Sequence, residues 1–176
     1  MRALVVYESV YGNTHRIADQ IGSGLGPTFE VSVEQASRVT VAEIVAADLL
    51  VVGSPTHVHG LPSRRSREAA ARGAGRPSAN PALDPDATSV GVREWLRDLA
   101  PLGGKPAAAF DTRYGGPALL TGRAAKGIAR LLRHRGGRLI VVPESFIVDK
   151  QNRLATSEAE RAEAWGRALA AKAAGG

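Results

Sequence analysis

Four short segments of the chain are almost continuously apolar: ALVVY from Ala3, DLLVVGS from Asp48, KPAAAF from Lys105 and RLIVVPESFIV from Arg138. Side chains that are apolar at successive positions suit strands covered on both faces, as in a parallel sheet. FEVSVEQA, Phe29 to Ala36, alternates apolar and polar residues instead, which predicts an edge strand. Helical patterns fall between these runs: Asn13 to Leu25, a short one near Val41 to Ala46, VGVREWLRDLA from Val90, LLTGRAAKGIARLLRHR from Leu119 and SEAERAEAWGRALAAKA from Ser157. Thr156 and Ser157 ahead of Glu158 and Glu160 predict a capped helix start, and Gly136 with Gly137 predicts the end of the Arg-rich helix. Strands alternating with helices of this length imply right-handed crossovers and a doubly wound open α/β sheet with helices on both faces.

The stretch from Pro62 to Ser89 departs from that pattern, being rich in Pro, Gly, Ser, Asn and Ala with little apolar periodicity. It reads as a long loop insertion holding one helical turn, of the kind used for lids and binding loops. No repeat or second domain is evident, and residues 1–176 read as one domain able to bury a sizeable core. Zero cysteine removes disulfides, thiol nucleophiles, iron–sulfur clusters and thiolate zinc sites. No apolar run is long enough to span a bilayer, and the N-terminus lacks the pattern of a secretory leader. No membrane contact and a cytoplasmic location are therefore expected, and redox chemistry would belong to a bound cofactor.

Candidate chemistry enters at the turns after the apolar strands, because an open parallel sheet binds ligands outside the carboxyl ends of its strands. The first strand runs into ESVYGNTHRIA, Glu8 to Ala18. Backbone N–H groups of Ser9, Val10, Tyr11, Gly12, Asn13 and Thr14 can converge there on one anion, with the Ser9 and Thr14 hydroxyls and the Asn13 amide adding hydrogen bonds. These six residues include no Lys or Arg and match neither GxxxxGK[ST] nor GxGxxG. An ordinary strand-to-helix turn capped by Asn13 or Thr14 is the alternative.

YESVYGNTHRIA resembles the phosphate-binding loop of flavodoxins, whose pattern is Thr/Ser, any, Thr, Gly, any, Thr; Ser9, Gly12 and Thr14 match it. Tyr11 replaces the middle hydroxyl residue, as in similar loops of the flavodoxin modules of flavodiiron proteins. VVGSPTHVHG, Val51 to Gly60, resembles a second flavodoxin loop, GSPT or GCPT followed by an aromatic residue, two more residues and glycine. The resemblance implies that Pro55 and Thr56 border the flavin, that His57 stacks where an aromatic ring often lies, and that the bend at Val58 and His59 before Gly60 faces flavin N5. The pair His57 and His59 lacks neighbouring carboxylate or thiolate ligands, so solvated loop histidines are expected in place of a metal site. A third loop, DTRYGGPALLTG from Asp111, is implied to face the O2 and N3 edge of the ring through Asp111, Thr112, Arg113 and Tyr114. Asp111 either bonds the flavin N3 proton or caps a turn with Thr112; Tyr114 either covers the ring or closes a Gly-rich turn.

The resemblance implies a five-stranded sheet of order 2-1-3-4-5, FMN as cofactor, and electron carriage between redox partners without a catalytic side chain. An NAD(P)H-dependent quinone or flavin reductase on the same fold is a second reading, with Arg64, Arg65, Arg67, Arg72 and Arg76 of the long loop as pocket walls. The formal net charge of +6 is clustered in GRAAKGIARLLRHRGGR, Gly122 to Arg138, which holds six Lys or Arg and no acid. It favours acidic protein partners through steering. A third reading drops the cofactor and makes this surface a binding module. Nucleic acid is not the expected partner, because Ile128, Leu131 and Leu132 line one side of that helix and leave the arginines as its solvated face.

Overall fold

Along β1 (Arg2–Tyr7), Ala3, Val5 and Tyr7 go to one face and Leu4 and Val6 to the other, and all five are buried. β3 (Leu49–Pro55) repeats the pattern with Leu49 and Val51 opposite Leu50 and Val52. Two cores therefore flank one sheet, as continuous apolar runs require. The computed structural model describes residues 1–57, 60–74, 83–84, 87–117, 121–149 and 151–175.

Strand order is β2-β1-β3-β4-β5, with β2 at Glu30–Gln35, β4 at Pro106–Tyr114 and β5 at Arg138–Leu139, and every pair is parallel. The order matches the expectation. The apolar run from Arg138 differs: it forms two strands, β5 and β6 (Glu144–Val148), and both pair with β4. β5 meets Pro106 and Ala107, while β6 meets Phe110 through Tyr114, so β4 runs well past the predicted KPAAAF. Pro143 has no N–H to give a ladder, which suits the break between the two segments.

On one face, α1 (Asn13–Leu25) and α6 (Glu158–Ala174) bury Ile17, Ile21, Leu25, Leu169 and Ala170. On the other, α4 (Val92–Asp98) and α5 (Ala124–His134) bury Val92, Leu96, Ile128 and Leu132. Each such leucine or isoleucine contributes about 1.5–3 kcal/mol through burial. The cationic side chains of Lys126, Arg130 and Arg133 lie on the exposed side of α5, as its periodicity predicts. α2 (Val41–Ala46) starts with a capping box in which Thr40 and Glu43 satisfy each other's backbone N–H groups.

Two expectations need correction. The segment after Pro62 contains an eleven-residue helix, α3 (Arg64–Ala74), where one turn was expected. Its apolar period is weak because Arg67, only 2% exposed, occupies the inward face where a leucine would normally be. Ser63 and Ser66 open it by exchanging hydrogen bonds: Ser66 N–H donates to Ser63 Oγ at 3.2 Å and Ser63 N–H to Ser66 Oγ at 2.9 Å. Second, Ser157 precedes α6 in a left-handed conformation, φ 66°, without a side-chain cap bond. The Glu158 carboxylate turns back to accept Ile147 N–H at 2.8 Å, so the acidic first turn serves β6.

Candidate functional site

The carboxyl ends of β1, β3 and β4 lie side by side, and the three loops that leave them form one cleft. Ser9, Val10, Tyr11, Asn13 and Thr14 line it from the first loop, Pro55, Thr56 and His57 from the second, and Thr112, Arg113 and Tyr114 from the third. Val148 and Asn152, which the sequence reading missed, complete the wall. The cleft floor encloses about 70 Å³. Tyr114, half exposed, stands between two wider recesses: about 820 Å³ beside Leu61, Ser66, Ala69 and Arg93, and about 680 Å³ beside Ile147 and Ala155. Val58, His59 and Arg76 lie outside the described residues.

The first loop is held by its own hydroxyl, since Ser9 Oγ accepts Gly12 N–H at 3.0 Å. Gly12 then turns into α1 at φ 81°, a left-handed conformation that favours glycine. No side chain caps the helix, contrary to the capped-turn alternative, so the N–H groups of its first turn are left for an external acceptor. A Cβ built at Gly12 meets nothing within 4 Å among the described residues, which leaves this corner of the cleft open on their side. The donors that the sequence assigned to an anion are partly used inside the protein. Asn13 Nδ2 donates to the Asn152 carbonyl at 2.7 Å, and the Thr14 and Thr112 hydroxyls share a hydrogen bond at 2.7 Å, which leaves one proton of the pair for a further acceptor. Tyr11 OH donates to the Ala70 carbonyl of α3 at 3.0 Å.

The second loop is closed by His57 and Gly60, whose backbones exchange hydrogen bonds at 2.8 and 2.9 Å. Thr56 is a structural staple: its hydroxyl accepts Ala124 N–H at 2.9 Å and donates to Asp111 Oδ2 at 3.0 Å. Asp111 Oδ2 also accepts Ala125 N–H at 2.8 Å, and the residue is fully buried. Asp111 therefore caps α5 from beneath through Oδ2, and burial holds its carboxyl above the usual range. Arg113 reaches Gly116 O at 3.0 Å and Thr121 Oγ1 at 2.8 Å, folding the Gly-rich loop back on β4.

Burial, with the Arg67 charge adding to it, lowers the pKa of His57 below 6.5. The unfolded chain takes up this proton first as pH falls. Stability from His57 is therefore complete above pH 6.5 and is lost as pH drops through the lower folded-state value. We expect the thermal midpoint of the parent to fall relative to His57→Gln below pH 6.5, and a constant difference from pH 8 to 5 would refute this.

A buried ionic cluster lies directly behind the first loop. Arg67 pairs with Glu8 at 3.5 Å and with Glu94 at 3.1 Å, and Glu8 Oε2 accepts Val92 N–H at 2.9 Å. Burial raises the Glu8 pKa, with Arg67 opposing the shift. Gly91 makes room: a Cβ there would be 2.3 Å from Arg67 Nη1 and 2.6 Å from Glu8 Oε2. Little in the sequence marks these residues beyond an acid at a strand end, because charged residues in a polar segment read as solvated.

A family model described as Flavodoxin matches residues 5–162. The oxidised flavodoxin 2 of Bacillus cereus superposes with a TM-score of 0.68 at 22% identity, covering 98% of this chain and 99% of that one. A flavodoxin from the domain Archaea gives 0.65 at 20% identity, with 99% of each chain covered. The flavodiiron core of a Synechocystis protein gives 0.63 at 17% identity, covering 99% of this chain and 36% of that one. These structural likenesses show a common fold. No curated protein matches by sequence. Among the described residues, no helix is long and apolar enough to cross a membrane.

Proposed function

Because this chain belongs to the flavodoxin family, matching its model over residues 5–162, we propose that it binds FMN in the three-loop cleft and carries electrons between redox partner proteins. The observation that carries the reading is the uncapped N-terminus of α1, entered through left-handed Gly12 and placed where β1 ends. A terminal phosphate fits this corner, which offers backbone N–H groups, the helix dipole and one hydroxyl proton of the Thr14 and Thr112 pair. FMN, when bound, supplies one- and two-electron chemistry.

The chain's own residues then do three things. The first-turn amides of α1 hold the phosphate; neutral His57 and half-exposed Tyr114 border the ring; the Thr56–Asp111–Ala125 bonds keep the second and third loops in register. A neutral imidazole would add no charge beside a ring bound here, and half-exposed Tyr114 would be open to a partner. The net charge of +6 would steer acidic partners toward the chain.

The recess of about 820 Å³ beside Tyr114 favours a second reading, an NAD(P)H-dependent quinone or flavin reductase with α3 as one wall. Titration of the purified protein with FMN, followed by flavin fluorescence and visible absorption, is expected to show saturable quenching at one flavin per chain. Absence of quenching at high micromolar FMN would overturn the cofactor reading. NADPH consumption with a quinone present would select the reductase; flavin reduction only through a protein donor would select the carrier.

A further inference from the structure

We propose that α3 and the short Leu83–Asp84 segment form a clamp on the first loop, with Arg67 and Tyr11 as positioning residues that give the site its preference for a phosphorylated flavin over riboflavin. The inference rests on the FMN reading above. Three separate attachments run from the inserted segment to the first loop or its flanks, and one of them also reaches α4. Tyr11 OH bonds the Ala70 carbonyl at 3.0 Å. Arg67, almost fully buried, faces Glu8 at 3.5 Å and Glu94 at 3.1 Å. Asp84 N–H donates to the Val10 carbonyl at 2.8 Å, and the Asp84 carboxylate lies 3.4 Å from His15 Nδ1. The His15 ring is in turn stacked on Tyr7, with centroids 4.4 Å apart.

The physical need for such a clamp follows from the loop itself. The six residues Ser9 to Thr14 contain no cation, so anion binding depends on backbone dipoles. Dipoles discriminate only when their directions are fixed in advance, because a loop that must be ordered on binding loses that entropy from its affinity. A buried guanidinium between buried Glu8 and half-buried Glu94 is a poor way to gain stability, since desolvation consumes most of the attraction. It is a good way to select one arrangement of three elements: Arg67 brings α3, Glu8 the end of β1, and Glu94 with the Val92 N–H the start of α4. These bonds end on the first loop, the end of β1 and the start of α4, while toward the ring α3 only borders the wider recess beside His57 and Arg67 acts on His57 through its charge, so the larger effect falls on the phosphate.

Coupling of this kind is reciprocal: what the clamp does for phosphate binding, phosphate binding does for the clamp. Arg67→Met would strand the buried Glu8 carboxylate and risks unfolding the chain, so the informative variants are Tyr11→Phe, which removes one hydrogen bond and keeps the ring, and Arg67→Lys, which keeps the charge and loses the planar fork. Affinities for FMN and riboflavin would be measured by fluorescence quenching. Tyr11→Phe is expected to weaken FMN about fivefold, the worth of one net hydrogen bond, and Arg67→Lys by tenfold or more, with a smaller loss for riboflavin in both. Equal losses for the two flavins, or none, would overturn the clamp. Binding of neither flavin by the parent would instead overturn the FMN reading.

A second readout does not depend on flavin fluorescence. Tryptic cleavage after the exposed Arg64, Arg65 and Arg72, identified by mass spectrometry, is expected to slow with FMN or inorganic phosphate in the parent and to slow less at the same ligand concentrations in the two variants. Cleavage of the parent that ignores both ligands, while FMN still quenches, would refute the coupling.

Discussion

Gly24→Ala is expected to destabilise the protein by about 2 kcal/mol or more, although alanine is the better helix former. A Cβ at Gly24 would lie 2.1 Å from the Glu163 carbonyl oxygen and 2.9 Å from Arg167 N, so α1 and α6 would have to separate. The crossing is reciprocal, since a Cβ at Gly166 would be 2.4 Å from Ile21 O and 3.1 Å from Gly24 Cα. Neither helix can withdraw freely, because Ile17, Ile21 and Leu25 on one and Leu169 and Ala170 on the other are fixed in the same core. Helix propensity returns at most about 1 kcal/mol, and overpacking against backbone costs roughly 3 kcal/mol. Gly127→Ala in α5 is the control, as among the described residues its Cβ would meet only the Leu61 side chain, at 3.3 Å. Chemical denaturation should show a large loss for Gly24→Ala and a change within about 1 kcal/mol for Gly127→Ala; equal midpoints would refute the close crossing.

Phe110→Ala is expected to cost about 3–5 kcal/mol, the largest single effect anticipated. The Phe110 ring is fully buried and meets Phe146 edge-on at 6.2 Å and Trp165 at 6.3 Å, and those two rings are 6.1 Å apart. Across the sheet its register partner is Gly53, and a Cβ there would be 2.0 Å from the Phe110 Cζ. The two positions are therefore one packing unit. Gly53→Ala should be strongly destabilising alone and much less so beside Phe110→Leu, which shortens the side chain at the point of conflict. A double-mutant cycle reads this directly, and additive losses would mean that the ring does not lie over Gly53. The unit matters to the cleft because Asp111 and Thr112 follow Phe110 on β4, and any shift there moves the Thr56 and Thr14 contacts.

Legibility in the sequence followed how local each cause was. The loop after β1 was readable because glycine, hydroxyls and a helix start within six residues have few other uses, and Ser9, Gly12 and Thr14 do line or shape the cleft. The roles of Tyr11 and Asp111 were not readable: Tyr11 answers to Ala70, and Asp111 to Thr56 and the start of α5. The helix α3 was obscured because its inward residue is an arginine paired with distant acids, and periodicity arguments count only apolar residues.

By itself the sequence determined a parallel sheet with helices on both faces and the position of two turns that line the cleft, since burial on both sides of a strand and the strand-to-helix turn are written in neighbouring residues. Only the tertiary structure decided the division of the last apolar run between β5 and β6, the glycine crossing of α1 and α6, and the attachment of α3 to the first loop through Arg67 and Tyr11. Each of these depends on atoms that are distant along the chain, and a contact between such atoms has no signature in either segment until both are folded.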